Sequence, residues 1–193
     1  LPGKPGVAEE PINRVKSFFQ DFAEKGQKIM SYRDKEPIMS QSDLIIRPMG
    51  IDDLAPIFHL GEQLFTSKDY PNLYRTWDEY EVTSSFHTDV ETCYVAEAGG
   101  EVAGFLLGTV IEKQRSRWKY GHLVWLGVSP DYQRFGIASR LFEKFRQHMI
   151  DMDVRMLMVD TQMSNISAIQ FFEKKGFGNP TEHVYMTLNL ENE

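Results

Sequence analysis

The stretch Val128-Ser129-Pro130-Asp131-Tyr132-Gln133-Arg134-Phe135-Gly136-Ile137-Ala138 reads as a strand running into a helix through a turn with small residues at two spaced positions. The first amide N–H groups of a helix have no intrahelical acceptor and point outward with the positive end of the dipole, so such a junction can hold an anion, a diphosphate included. Small side chains at Gly136 and Ala138 let the anion approach the backbone. A glycine at a helix start also serves ordinary packing, and the pattern is neither a Walker loop nor a dinucleotide fingerprint. Cys93 is the single cysteine and the one candidate thiol nucleophile, but its strand-like setting suits a buried structural thiol.

Those residues require a scaffold of strands and helices, and the hydrophobic pattern supplies one. Leu44, Ile45 and Ile46 form a short strand stopped by Pro48; Asp52 and Asp53 then open a helix carrying Leu54, Ile57, Phe58 and Leu60. From Ser67 to Phe86, Tyr70, Tyr74, Trp77, Tyr80 and Phe86 alternate with charged residues, as a second amphipathic helix over a sheet or as a wall of a substrate site. Cys93–Ala98 and Val102–Ile111 are strand-like, and Gly99-Gly100 between them is a two-residue hairpin signal. After the basic stretch Lys113, Arg115, Arg117, Lys119, a strand runs from about His122 to Val128. Ile137, Leu141, Phe142, Phe145 and Met149 mark a long amphipathic helix. Met156–Val159 is a continuous apolar run suited to a strand buried on both faces and joined by a parallel crossover. A last helix spans about Ile166 to Lys175, with Ser164 or Asn165 as N-cap and Gly176 as stop, and Val184–Leu190 reads as a final strand.

A chain of 193 residues is one domain with at most an appendage, and 41% hydrophobic with 25% charged residues is the mix of an ordinary globular protein. The formal charge of -7 disfavours a polyphosphate partner, so nucleic-acid binding is not expected. One cysteine allows no intrachain disulfide and no multi-cysteine zinc cluster, which fits a reducing cytoplasm. No apolar run approaches the roughly 18 residues a membrane span needs, and Leu1–Glu10 lacks the pattern of a secretory signal. Ile12, Val15, Phe18, Phe19, Phe22 and Ile29 recur at near-helical spacing; this amphipathic helix either packs on the main body or meets a dimer or other partner. With a polar linker from Ser31 to Asp43, residues 1–42 form an N-terminal arm and residues 43–193 the main domain.

Gln133-x-x-Gly136-x-Ala138 after Leu126-Gly127-Val128 resembles the acetyl-CoA signature of the GNAT acetyltransferase superfamily. Asn165-x-x-Ala168-x-x-Phe171-Phe172-Glu173-x-x-Gly176-Phe177 is similar to the second signature of that superfamily, and the two stand in the expected order, separated by one helix and one strand. The resemblance covers roughly residues 44 to 190. It implies an α/β fold of mixed α+β type: a mixed central sheet with helices on both faces and a splay between the fourth and fifth strands, plus the N-terminal helical extension.

Carried residue by residue, the resemblance implies that the backbone of Leu126 and Val128, flanking Gly127, pairs with the pantetheine arm, and that an N–H there polarises the thioester carbonyl. Amides from Gln133 or Arg134 through Phe135, Gly136, Ile137, Ala138 and Ser139 would hold the diphosphate, Arg134 adding a charge, and the Asn165 side chain would contact the coenzyme. Acetyl-CoA is then the cosubstrate, with no metal, and a small amine, amino acid or protein N-terminus attacks it directly in a ternary complex. An amine arrives mostly as ammonium, so a group must accept a proton. His122 stands where several members place a catalytic glutamate, and imidazole's ordinary value of about 6.5 suits a base. Asp160 stands five residues before Asn165, where the ribosomal-protein N-terminal acetyltransferases carry a base glutamate. A half-buried structural histidine and a turn-capping aspartate are the plain alternatives, and His59, His87, His148 and His183 match no signature position. Phe172 replaces a tyrosine that many members use to protonate the departing thiolate, leaving Tyr132, Tyr185 or Tyr74, water, or no donor. That gap motivates the second reading, a non-catalytic acyl-CoA-binding sensor. An acidic surface favours cationic acceptors, whereas Arg115, Arg117 and Lys119 at the site's edge would favour acidic ones.

Overall fold

A computed structural model describes residues 44–66, 76–112, 118–182, 184 and 186. The N-terminal helix and linker, Tyr70, Tyr74 and the basic stretch 113–117 lie outside the described residues, as do His183, Tyr185 and nearly all of the expected Val184–Leu190 strand.

Strand β1 (Leu44–Pro48) leads through a 3-10 turn (Ile51–Asp53) into α1 (Leu54–Leu64). Helix α2 (Glu79–Asp89) begins where the Asp78 carboxylate accepts the amides of Tyr80 and Glu81, a strong N-cap that fixes its start. Strands β2 (Tyr94–Ala98), β3 (Glu101–Glu112) and β4 (Lys119–Val128) follow, then α3 (Ile137–Asp151), β5 (Met156–Val159) and α4 (Ile166–Lys174). The sheet order is β1-β2-β3-β4-β5. All neighbours are antiparallel except β4 and β5, which run parallel through the α3 crossover. The β2–β3 turn works because Gly99 and Gly100 take φ of 60° and 85°, the left-handed pair a two-residue hairpin requires.

Both sheet faces are covered. On one, Ile137, Leu141, Phe142, Phe145 and Met149 of α3 and Phe172 of α4 pack on Tyr94, Leu106 and Leu123. On the other, Ile57 and Leu60 of α1, Val82 of α2 and Trp77 pack on Val95, Phe105, Leu107 and Trp125. The aromatic stretch therefore resolves in part into a sheet-covering helix, with the Trp77 Nε1–H donating to the Phe58 carbonyl at 2.9 Å. A half-buried ion pair ties the first strand down: Asp53 accepts from Arg47 Nη1 and Nη2 at 2.6 and 2.8 Å and from the Gly50 amide at 2.7 Å, while Arg47 Nε donates to Glu97.

One expectation fails in β5. Leu157 and Val159 pack beneath α3 and α4, but Met156 and Met158 point to the other face and are 47% and 42% exposed. β5 is the last strand in the described sheet, beyond the reach of α1 and α2, so apolar sequence alone made it look buried on both sides. Among the described residues no helix is long and apolar enough to cross a membrane, and no group of three or more side chains could hold a metal ion.

Candidate functional site

The site is made by an extra residue in β4. Leu107 of β3 faces Trp125, but Gly108 faces Leu123, so Val124 is a β-bulge. A bulge bends its strand and breaks the ladder locally. Pairing with β5 ends there: His122↔Met158 and Leu123↔Val159 are the last pairs, whereas β4 stays on β3 as far as Gly104↔Val128. The Ser129 N–H donates to Ala103 O on the β3 side at 2.9 Å. Two-residue alternation then turns the N–H and C=O of Leu126 and Val128 to the opposite side, where β4 and β5 have parted. Gly127 sits between them with its backbone toward β3.

At its end, β4 passes through a 3-10 turn (Pro130–Tyr132), capped by Ser129, into Gln133 and the start of α3. Arg134 has φ of 73° and Gly136, the residue preceding α3, φ of 72°. A left-handed non-glycine residue costs on the order of 1–3 kcal/mol, which is characteristic of ligand-holding turns. Left-handed and right-handed residues in sequence gather amides into an anion-holding concavity. Gln133, Arg134 and Gly136 are exposed and Phe135 half-buried. The Ile137 side chain is buried in the core, while Ala138 and Ser139 follow in the first turn with their amides at the helix start. A Cβ built on Gly136 would meet nothing within 4 Å, so the glycine answers to backbone conformation and leaves the concavity open.

Where the strands part, His122 and Asp160 meet: Nε2 and Oδ1 are 2.9 Å apart, with the side chains 16% and 43% exposed. The family resemblance offered them as rival proton acceptors; the parallel register brings them into one hydrogen bond, because His122 is the next-to-last residue of β4 paired with β5 and Asp160 is the first beyond β5. No local pattern announces a contact between residues 38 apart. The bulge at Val124 was likewise missed.

The remaining positions are structural in their visible contacts. Asn165 Oδ1 accepts from the Ala168 amide at 3.2 Å and from Ser167 Oγ at 3.0 Å, capping α4. Phe172 is buried, edge-on to Phe171 and Phe177. Burial, with Asp89 and Glu91 adding to it, pushes the Cys93 thiol up to about 11, so it stays protonated and inert at neutral pH. Burial also raises the Tyr132 phenol, helped by Glu101 and Asp131. His59 pairs with Glu62, and His148 bonds the Tyr94 hydroxyl on the α3 side of the sheet. Lys119 pairs with Glu112 at 2.9 Å.

Residues 58–177 match the model of the acetyltransferase (GNAT) family. N-alpha-acetyltransferase 30 of Xenopus laevis is 26% identical over 91 residues, covering 47% of this chain and 33% of that protein, so the chain spans about a third of its length. An aminoglycoside acetyltransferase from an uncultured soil metagenomic sample, solved with trehalose, superposes with a TM-score of 0.62 at 21% identity, covering 77% of this chain and 98% of that one. A chain of the NatC complex bound to Gag peptide and CoA superposes with a TM-score of 0.59 at 20% identity, covering 72% and 87%. At these identities the superpositions establish a common fold.

Proposed function

The chain belongs to the acetyltransferase (GNAT) family, and from that premise we propose that residues 43–193 transfer the acetyl group of acetyl-CoA to a primary amine. The hydrogen-bonded His122–Asp160 pair at the parting of β4 and β5 is the observation that carries this reading.

The residues present fit the coenzyme in three places. The left-handed turn from Gln133 to Gly136 and the amides of Ile137, Ala138 and Ser139 suit its diphosphate, with Arg134 as counter-charge. The outward-turned backbone of Leu126 and Val128 suits the amide-bearing arm. Asn165, whose oxygen caps α4, stands at the third position, the one the second signature gives to a coenzyme contact. Bound there, acetyl-CoA supplies the thioester that the amine attacks. His122 takes the proton of the incoming ammonium: with Nε2–H donated to Asp160, the neutral ring carries its lone pair on Nδ1. Asp160 fixes the ring's orientation and stabilises the imidazolium that forms. The N–H of Leu126 or Val128 supports the carbonyl oxygen as charge develops on it.

Phe172 donates no proton, but an alkyl thiol of pKa about 8.5, by analogy with cysteine, is an adequate leaving group as the thiolate. The same residue supports the second reading, a binding module that holds acyl-CoA without turnover. An acetyl-CoA-dependent thiol-release assay over small amines, amino acids and N-terminal peptides separates the two: release with at least one class supports the enzyme, and binding without release supports the module. If calorimetry detects no interaction with CoA at millimolar concentration, both readings fall.

A further inference from the structure

Ile111, Tyr120, Met156 and Met158 line the same sheet face as His122. The register sets Ile111 opposite Tyr120, Tyr120 opposite Met156 and His122 opposite Met158. Residues directly opposite share a face with Cβ atoms roughly 5 Å apart. The face is the one carrying α1 and α2, since Thr109, opposite His122, donates its Oγ1–H to Asp89 of α2 at 2.8 Å. Those helices stop short of β5, leaving Ile111 37%, Met156 47% and Met158 42% exposed. A contiguous row of large apolar side chains in solvent marks a contact surface, and methionine adapts its shape to what it meets.

We propose that this row is the specificity surface for the acceptor, and that the acceptor is a small primary amine with an apolar carbon framework. The inference rests on the reading of His122 as proton acceptor. An amine nitrogen at the His122 ring extends its substituent over Met158, the residue directly across the ladder, and from there over Met156 and Tyr120. The patch is about 7 Å along β5 and about 10 Å across to β3, the size of one alkyl or arylalkyl chain and too short for an extended peptide. Charge complementarity points the same way. Among the described residues, three carboxylates on this face are engaged by the fold: Glu81 accepts the Trp125 indole N–H at 2.7 Å, Asp89 accepts from Thr109, and Asp160 from His122. A polycation would meet methionines where it needs anions.

The test measures kcat/KM for n-alkylamines from propylamine to octylamine, phenethylamine, spermidine, and peptides beginning with Met or Ser. A methylene leaving water is worth up to about fourfold, so a half-open surface should give a rise of roughly two- to fourfold per methylene. Octylamine should then exceed propylamine by about thirtyfold or more, and Met156→Gln with Met158→Gln should flatten the series while calorimetric CoA affinity is retained. A flat series, preference for spermidine or a peptide over octylamine, or an unaltered slope in the double variant overturns the proposal. If no amine is acetylated although CoA binds, the enzyme reading falls. Calorimetric titration of octylamine and spermidine into the CoA-loaded chain then decides the surface by itself: tighter octylamine supports it, and equal or weaker octylamine overturns it.

Discussion

Changing Asp160 to Asn removes a negative charge while keeping an oxygen that can accept the His122 Nε2–H, so it isolates the electrostatic part of the pair. Two unit charges near 4 Å attract by about 1 kcal/mol in water and about 4 kcal/mol at the effective dielectric of a protein surface. Asp160 is 43% exposed, which places the imidazolium's stabilisation toward the lower figure, about 1–2 kcal/mol, or five- to thirtyfold in kcat/KM. Removing the base itself, by His122→Ala, should cost on the order of a hundredfold to ten-thousandfold. The double variant should be no slower than His122→Ala alone, because Asp160 acts through the ring. Thiol release at saturating acetyl-CoA reads these rates, with CoA affinity by calorimetry and the melting temperature as controls; an exposed pair of this kind adds at most about 1 kcal/mol to stability. An Asp160→Asn rate within twofold of the unmodified chain, or a double variant slowed by the product of the single effects, would falsify the pairing mechanism.

Arg47→Ala strands the buried Asp53 carboxylate and should lower unfolding free energy by about 2–3 kcal/mol, a figure reduced for Arg47's partial exposure; a denaturant midpoint unchanged from the original refutes it. The Arg47 guanidinium and the Gly50 amide outweigh burial and hold Asp53 below the usual carboxylate range. Its stabilisation is thus complete above pH about 4 and lost as pH falls through the lowered folded value, a slope that melting curves of Asp53→Asn should lack. Gly136→Ala imposes a left-handed alanine at about 1–2 kcal/mol and puts a methyl at the mouth of the turn, so CoA affinity should fall about tenfold by calorimetry. Because Cys93 is buried with its thiol at about 11, native protein at pH 8 should resist alkylation except at its unfolding rate; rapid labelling without loss of fold would contradict its placement. Its sign opposes that of Asp53: the folded state keeps the proton longer, so this residue's stabilisation declines as pH rises from roughly 8.5 toward 11.

Local chemistry was legible wherever a short segment determines its own shape. The paired glycines at 99 and 100 announce a hairpin, the Ile137 to Met149 spacing announces a helix, and Asn165 caps the next one. The Val124 bulge left no trace in the pattern. Gly121 and Leu123 are buried under α3, and Trp125 and Gly127 on the face of α1 and α2, so burial alternates without a break and a change of face at the bulge costs none. The same coverage argument misled at β5, where methionines are apolar but lie beyond the covering helices. The His122–Asp160 and Arg47–Asp53–Glu97 contacts depend on register between distant strands and turns, which composition does not encode.

The surplus residue in β4 also makes the molecule vulnerable in an uncommon direction. A one-codon deletion at Val124 would mend the ladder, let the two parallel strands zip onward, and yield a more regular protein with its entrance sealed. Loss of the proposed coenzyme binding by improvement of the sheet is the failure to look for in shortened variants of this chain.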